Sequence, residues 1–298
     1  MKHLALLLLF VHIGVGLLAQ TTDDKLQQQL TSALQGFHGV AGVYVKHLNT
    51  GKVAAVNCDT LFPTASMIKI PILIGIMDKL EKGHLQYHQE LEYRDSLLYP
   101  GEDILGSFKQ GEKIALSKVI MLMLTTSDNT ASLWLQSLAG TGTRINALLD
   151  SLGLRYTRVN SRTPGREVNR QQFGWGQTTP REMVTLMELI YKGKVISAKA
   201  SEKMLRLLGR NYYDEQAISQ IPAGIYVASK NGAVDASRSE TLLVMAPHGP
   251  YIFSIITKNQ EDTSWTPDNE GWQLARKVSA LLWNYFEPGS DASAGRKR

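Results

Sequence analysis

Phe62-Pro63-Thr64-Ala65-Ser66-Met67-Ile68-Lys69 is the stretch on which the reading of this chain turns. Pro63 and Thr64 favour a turn, which leaves Ser66 at the start of a helix. Lys69 follows three residues later, so the two side chains share a helix face. A serine hydroxyl attacks poorly until a neighbour accepts its proton. A lysine amine accepts it only where burial and nearby cations lower its pKa. The helix start also leaves N–H groups free to meet a developing oxyanion. Ile70 to Ile76 are almost wholly apolar, so the helix is a buried one, and a lysine facing into a core needs a reason. Ser-x-x-Lys also recurs by chance on exposed helices. At this point a structural pair and a catalytic pair both stand.

Working outward, the helical pattern runs from Ser66 to about Lys82 and stops at Gly83. Upstream, Asp23 to Phe37 reads as an amphipathic helix, with Leu26, Leu30, Ala33, Leu34 and Phe37 on one face. Gly42–Leu48 and Lys52–Asn57 read as strands joined by Asn49-Thr50-Gly51. Residues 115 to 210 carry further helical patterns, among them Ser117–Leu124 and Pro180–Tyr191. Strand patterns return at Gly224–Ser229, Thr241–Ala246 and Tyr251–Thr257, and a last amphipathic helix covers about Glu270–Phe286. The expected fold is α/β: a mostly antiparallel five-stranded sheet, flanked by helices, with an all-helical insertion. The sheet part takes in about 22–65 and 211–288, and the helical part about 66–210.

The 298 residues are 43% hydrophobic and 20% charged, enough apolar surface for a sizeable core. The net charge of +5 is scattered apart from Arg296-Lys297-Arg298, which argues against a nucleic-acid partner. Lys2 and His3 precede an apolar run that ends at Ala19, the pattern of a cleaved secretory signal over 1–19. The mature domain is then 20–288, exported to a periplasmic or outside space, with no stable membrane span and acting as a monomer. Residues 289–298 read as a disordered tail. Cys58, the single cysteine, has no internal disulfide partner and reads as a small buried residue. No metal and no organic cofactor is expected, and the seven histidines, which form no compact ligand motif, do not argue otherwise.

Two further motifs are weak alone. Ser127-Asp128-Asn129 follows an apolar helical run and reads equally as a polar turn capping the next helix. Lys230-Asn231-Gly232-Ala233 reads as a strand-ending turn. Together with Ser66 they carry more weight, because Ser127 lies 61 and Lys230 164 residues beyond it. The order Ser-x-x-Lys, Ser-Asp-Asn, Lys-x-Gly resembles that of class A β-lactamases and related penicillin-binding enzymes. Thr178-Thr179-Pro180 resembles the Thr-Pro start of that family's helix after its Ω-shaped loop.

The resemblance implies roles. Ser66 would attack a carbonyl and Lys69 would take its proton. Ser127 would pass a proton to the leaving nitrogen. Asn129 would hold Lys69 and the substrate amide. Lys230, with Asn231, would bind a substrate carboxylate, and the N–H groups of Ser66 and Ala233 beside Gly232 would form the oxyanion hole. Arg238 is either a second carboxylate ligand or a plain strand arginine. Two departures stand out. An amide, Asn231, replaces the family's threonine, and it still offers an NH₂ donor. The family's deacylating glutamate sits four residues before an asparagine. Here Gly165 stands four before Asn169, and Glu167 is the nearest carboxylate. Glu167 is either a re-aimed base, with Asn169 helping to hold the water, or a solvated charge. The implied substrate is a small β-lactam or a peptidoglycan-like molecule. β-Lactam hydrolysis is the leading expectation. A penicillin-binding peptidase or esterase with slow deacylation, and an exported binding protein without turnover, remain as alternatives.

Overall fold

The computed structural model describes residues 21–101 and 103–289. The expected signal segment, and all of the expected tail but Gly289, lie outside the described residues. Asp23 caps α1 (Asp24–Leu34) by accepting from the Leu26 amide at 3.2 Å, and Leu26, Leu30 and Ala33 form the buried stripe. β1 (Val40–His47) and β2 (Val53–Val56) make the early hairpin, closed at Gly51 with φ +70. A short β3 (Phe62–Pro63) leads into a 3-10 turn, Ala65–Ile68, which passes directly into α2 (Lys69–Glu81).

The middle of the chain is mainly helical. A small ribbon of β4 (Glu90–Glu92) and β5 (Lys113–Ala115) precedes α3 (Leu116–Thr125), α4 (Asn129–Leu138) and α5 (Thr141–Ser151). Then come β6 (Arg158–Val159), α6 (Glu167–Phe173), β7 (Gly176–Thr178), α7 (Pro180–Tyr191) and α8 (Ala198–Leu208). Thr179 caps α7 through the Glu182 amide at 3.2 Å, with Pro180 at the first helical position.

The chain returns to the sheet as β8 (Val227–Val234), β9 (Ser237–Val244) and β10 (Tyr251–Lys258), and ends in α9 (Glu270–Phe286). The main sheet is fully antiparallel in the order β2-β1-β10-β9-β8, the expected α/β architecture. One expectation needs correction. Lys230-Asn231-Gly232 does not end a strand; β8 runs through it to Val234 and turns at Asp235-Ala236. The expected strand begins at Thr241, but β9 starts four residues earlier at Ser237, in the polar run Ser237-Arg238-Ser239-Glu240. All are buried: Ser239 Oγ donates to the Thr64 carbonyl at 3.3 Å and Thr241 Oγ1 bonds Ser254 Oγ at 2.8 Å.

The sheet separates two cores. Leu30, Val43, Leu242, Phe253, Val278 and Trp283 pack between one face and the α1–α9 pair. The other face meets α7, the 3-10 turn and the helices behind it. α2 runs through this second core with Ile70, Ile72, Leu73, Ile74 and Ile76 all fully buried. A helix apolar on every side can sit only in an interior. Each such side chain contributes about 1.5–3 kcal/mol by leaving water. That burial fixes the start of α2, and with it the position of Ser66 and Lys69.

Candidate active site

Lys69 is the first residue of α2 and is fully buried. Four oxygens surround its Nζ: Ser66 Oγ at 3.0 Å, Ser127 Oγ at 3.0 Å, the Ser127 carbonyl at 2.5 Å and Asn129 Oδ1 at 2.9 Å. The helices thus bring the first two motifs together. Asp128 between them caps α4, accepting from Ala131 N at 2.7 Å and Leu105 N at 2.9 Å. Asp103, which pattern reading did not single out, accepts from the Asn129 and Thr130 amides at 2.9 and 2.8 Å.

Both motifs hold a non-glycine residue in left-handed backbone: Ala65 at φ +44 and Ser127 at φ +60. Such a conformation costs about 1–2 kcal/mol each. Hydrogen bonds on either side hold them there: Thr64 N to the Gly176 carbonyl at 2.9 Å, and Asp128 N to the Leu122 carbonyl at 3.1 Å. The bend at Ser127 turns both its carbonyl and its hydroxyl onto Lys69.

Burial pushes the Lys69 amine well below the usual lysine range, and the charge of Lys230 adds to this. Asp103 and Asp128 pull the other way and do not offset it. Lys230, fully buried on β8, is itself lowered to about 7 by burial, against the pull of Glu240. Its Nζ donates to the Asn231 carbonyl at 3.0 Å and to Asn231 Oδ1 at 3.1 Å. These are its hydrogen bonds among the described residues; the Ser127 hydroxyl is not one of them.

β8 crosses the 3-10 turn at Gly232. A Cβ there would lie 2.7 Å from both Ser66 N and the Thr64 carbonyl, so only glycine lets the strand approach the Ser66 backbone. Ser66 and Ala233 consequently share the wall of a cavity of about 480 Å³. Tyr99 and Trp175 meet edge to face at 5.0 Å on its rim. A second cavity, of about 840 Å³, also starts at Ser66 and runs past Ser127 and Asn231. A larger open groove of about 1070 Å³ between α1 and α9 contains none of these residues.

Three expected residues stand elsewhere. Arg238 alternates with Ser237 and Ser239 along β9 and faces the opposite side of the sheet. Its guanidinium bonds the Val234, Ser237 and Ser264 carbonyls at 2.5, 3.0 and 2.5 Å and stacks on Trp265 and Trp272. It lines neither Ser66 cavity. Glu167 is the exposed first residue of α6 and accepts from Gly165 N at 3.1 Å. Asn169 donates to Gln177 Oε1 at 3.0 Å, which also accepts from Arg166 at 2.8 Å. The polar bonds of this stretch are internal, and Gln172 to Trp175 form the cavity wall in its place.

Sequence reading also passed over Glu240. It is fully buried on β9, opposite Asn231, and burial raises its carboxyl to about 8. Oε2 accepts from Ala217 N at 2.9 Å, while Oε1 has no partner among the described residues. A glutamate in a polar run just before an expected strand carries no local signal of burial.

Known proteins are similar along nearly the whole chain. Beta-lactamase VEB-1 of Pseudomonas aeruginosa is 23% identical over 297 residues, 96% of this chain and 98% of its own. The solved structure of PBP-A matches with a TM-score of 0.80 at 27% identity, covering 90% of this chain and 98% of that one. A leucine-to-glutamate variant of PBP-A, described as an acyl-enzyme complex with penicillin G, matches at 0.79 and 27%. A family model described as the beta-lactamase enzyme family matches residues 25–286, and the chain, whose Ser66, Lys69, Ser127 and Asn129 meet within one hydrogen-bonded cluster, belongs to that family.

Proposed function

We propose that this chain is a serine hydrolase that opens β-lactams through an ester on Ser66, with release of that ester as the slow step. The observation that carries the reading is the Lys69 cluster. A neutral amine has two N–H groups and one lone pair. The Ser127 carbonyl and Asn129 Oδ1 only accept, so they take the two N–H groups. The lone pair is left for the two hydroxyls at 3.0 Å, Ser66 and Ser127, and in this reading it takes the Ser66 proton first. As that proton moves to Nζ, Oγ bonds to the lactam carbonyl carbon. The oxyanion falls to the N–H groups of Ser66 and Ala233. The C–N bond then breaks while the Ser127 hydroxyl gives its proton to the nitrogen, and Lys69 returns one to Ser127. Lys230 and the Asn231 amide hold the substrate carboxylate.

Water must finally cleave the ester, and among the described residues none that lines the 480 Å³ cavity is a carboxylate. This favours a slow last step. It also supports the second reading, a penicillin-binding peptidase or esterase that keeps its acyl group. The assembled Ser66–Lys69 pair speaks against a binding protein without chemistry. The apolar leader after Lys2 supports export, and we take the protein to act there as a monomer. The test is the intact mass after penicillin treatment, read at seconds and at hours. Fast gain of one penicillin mass on Ser66 and slow loss supports hydrolysis. Gain without loss selects the peptidase reading, and no gain rejects both.

A further inference from the structure

The 840 Å³ cavity shares Ser66, Asn129 and Ala233 with the smaller one but continues past Ser127 and Asn231. In the reading above these two residues serve the leaving nitrogen and its carboxylate. Whatever occupies the rest of this arm is therefore attached to the leaving group. The far end of the arm is aromatic. Trp265 is 66% exposed, Tyr212 54% and Tyr213 36%, and Trp272 lies buried beside them. Large apolar rings gathered at one exposed place mark a binding surface more often than a solvated loop.

Trp265 is held in place. The Arg238 guanidinium lies 4.7 Å from its ring centroid, and that arginine is buried and bonded to four backbone carbonyls. The Ser264 carbonyl also accepts from Asn269 Nδ2 at 2.9 Å, which ties the loop to the start of α9. An exposed indole fixed from below is a preorganised stacking surface. Charge narrows the ligand. The chain carries +5, yet among the described residues the arm is lined by Asp103, Asp128 and Glu215 and by no lysine, arginine or histidine. A second anion there would meet three carboxylates, with the nearest guanidinium, Arg238, covered by the Trp265 and Trp272 rings.

We propose that this arm is a subsite for a flat, uncharged aromatic ring on the leaving-group side of the substrate, stacked on Trp265 and Tyr212, and that it disfavours an anionic group in the same place. The proposal rests on the acyl-transfer reading. Three cephalosporins that differ only on the leaving side test it: a small acetoxymethyl group, a neutral aromatic ring, and the same ring bearing a sulfonate. Second-order acylation constants are measured for wild type, Trp265→Ala and Glu215→Gln. The aromatic compound should acylate about 5-fold faster than the small one, as one ring–ring contact provides. That ratio should fall to about 1 in Trp265→Ala. The sulfonate should lose the advantage, and Glu215→Gln should restore part of it. A ratio of 1 in wild type, or one unmoved by Trp265→Ala, overturns the subsite. If no compound acylates Ser66, the hydrolase reading has failed. Calorimetric binding to Ser66→Ala protein then decides the subsite separately: tighter binding of the aromatic compound, lost on adding Trp265→Ala, keeps it, and equal binding overturns it.

Discussion

Lys69 enters the core as an amine with four oxygens around it and leaves no room for a charge that is not shared. Lys69→Met matches its length in an apolar setting and should fold. Acylation should fall by at least ~10² as the proton acceptor is lost. Mass spectrometry against time reads the rate, and a melting curve checks the fold. Glu167 gives the opposite expectation. Its carboxylate is exposed and bonded to Gly165 N, so Glu167→Gln should alter ester release by less than about 2-fold, as for a solvated charge. Single-turnover release kinetics check this, and accumulation of the ester in the variant would restore Glu167 as the base. The local pair was legible because both residues sit within one helical turn. Arg238 was not, because strand alternation decides which face it takes, and the start of β9 was hidden among polar residues.

Elements carry the next level of control. β8 reaches the 3-10 turn only because Gly232 has no side chain. Gly232→Ala should push the strand off Ser66 N and spoil the oxyanion donors. A loss of ~10²–10³ in acylation is expected, the size seen when one such donor is removed. Stability should fall by about 1–3 kcal/mol from overpacking. Denaturant melts and acylation rates separate the two effects, since Lys69→Met should lose rate without that instability. Asp128 links α4 to the Leu105 segment, and Asp128→Ala should cost about 1–3 kcal/mol by orphaning two buried amides. The motifs were legible along the chain, but their meeting depends on α2, α4 and β8 converging from distant stretches. No local pattern contains that.

Across the whole molecule, pH acts through groups buried on β8 and β9. Glu240 titrates at about 8 in the fold, against 4.5 in an open chain. Between those values the unfolded chain is ionised and the native one holds the proton. Stability from this group is therefore full below about 4.5 and is lost as pH rises through 8. Glu240→Gln cannot ionise. Its melting temperature should gain on wild type as pH goes from 5 to 8, and parallel curves by scanning calorimetry would refute the assignment. Lys230 works in the other sense for binding. Its charge fades as pH passes about 7, so KM for carboxylate-bearing substrates should climb there while that of their esters stays flat. The order of elements and the sheet class were legible from periodicity. The charge pattern beneath the sheet was not, since it depends on which polar residues the two cores enclose.

Val43 on β1 faces Val56 on one side and Ile255 on the other. The strand made first is thus an inner strand, and its second neighbour is the last strand of the chain. At ribosomal speeds of about 5–20 residues per second, the wait between them is on the order of tens of seconds. Throughout that time the nascent chain shows a bare, apolar Val40–His47 edge, the kind that recruits other strands. The native sheet is complete only once Lys258 has been made, and premature truncation anywhere before it leaves a client for chaperones and proteases rather than a smaller folded domain.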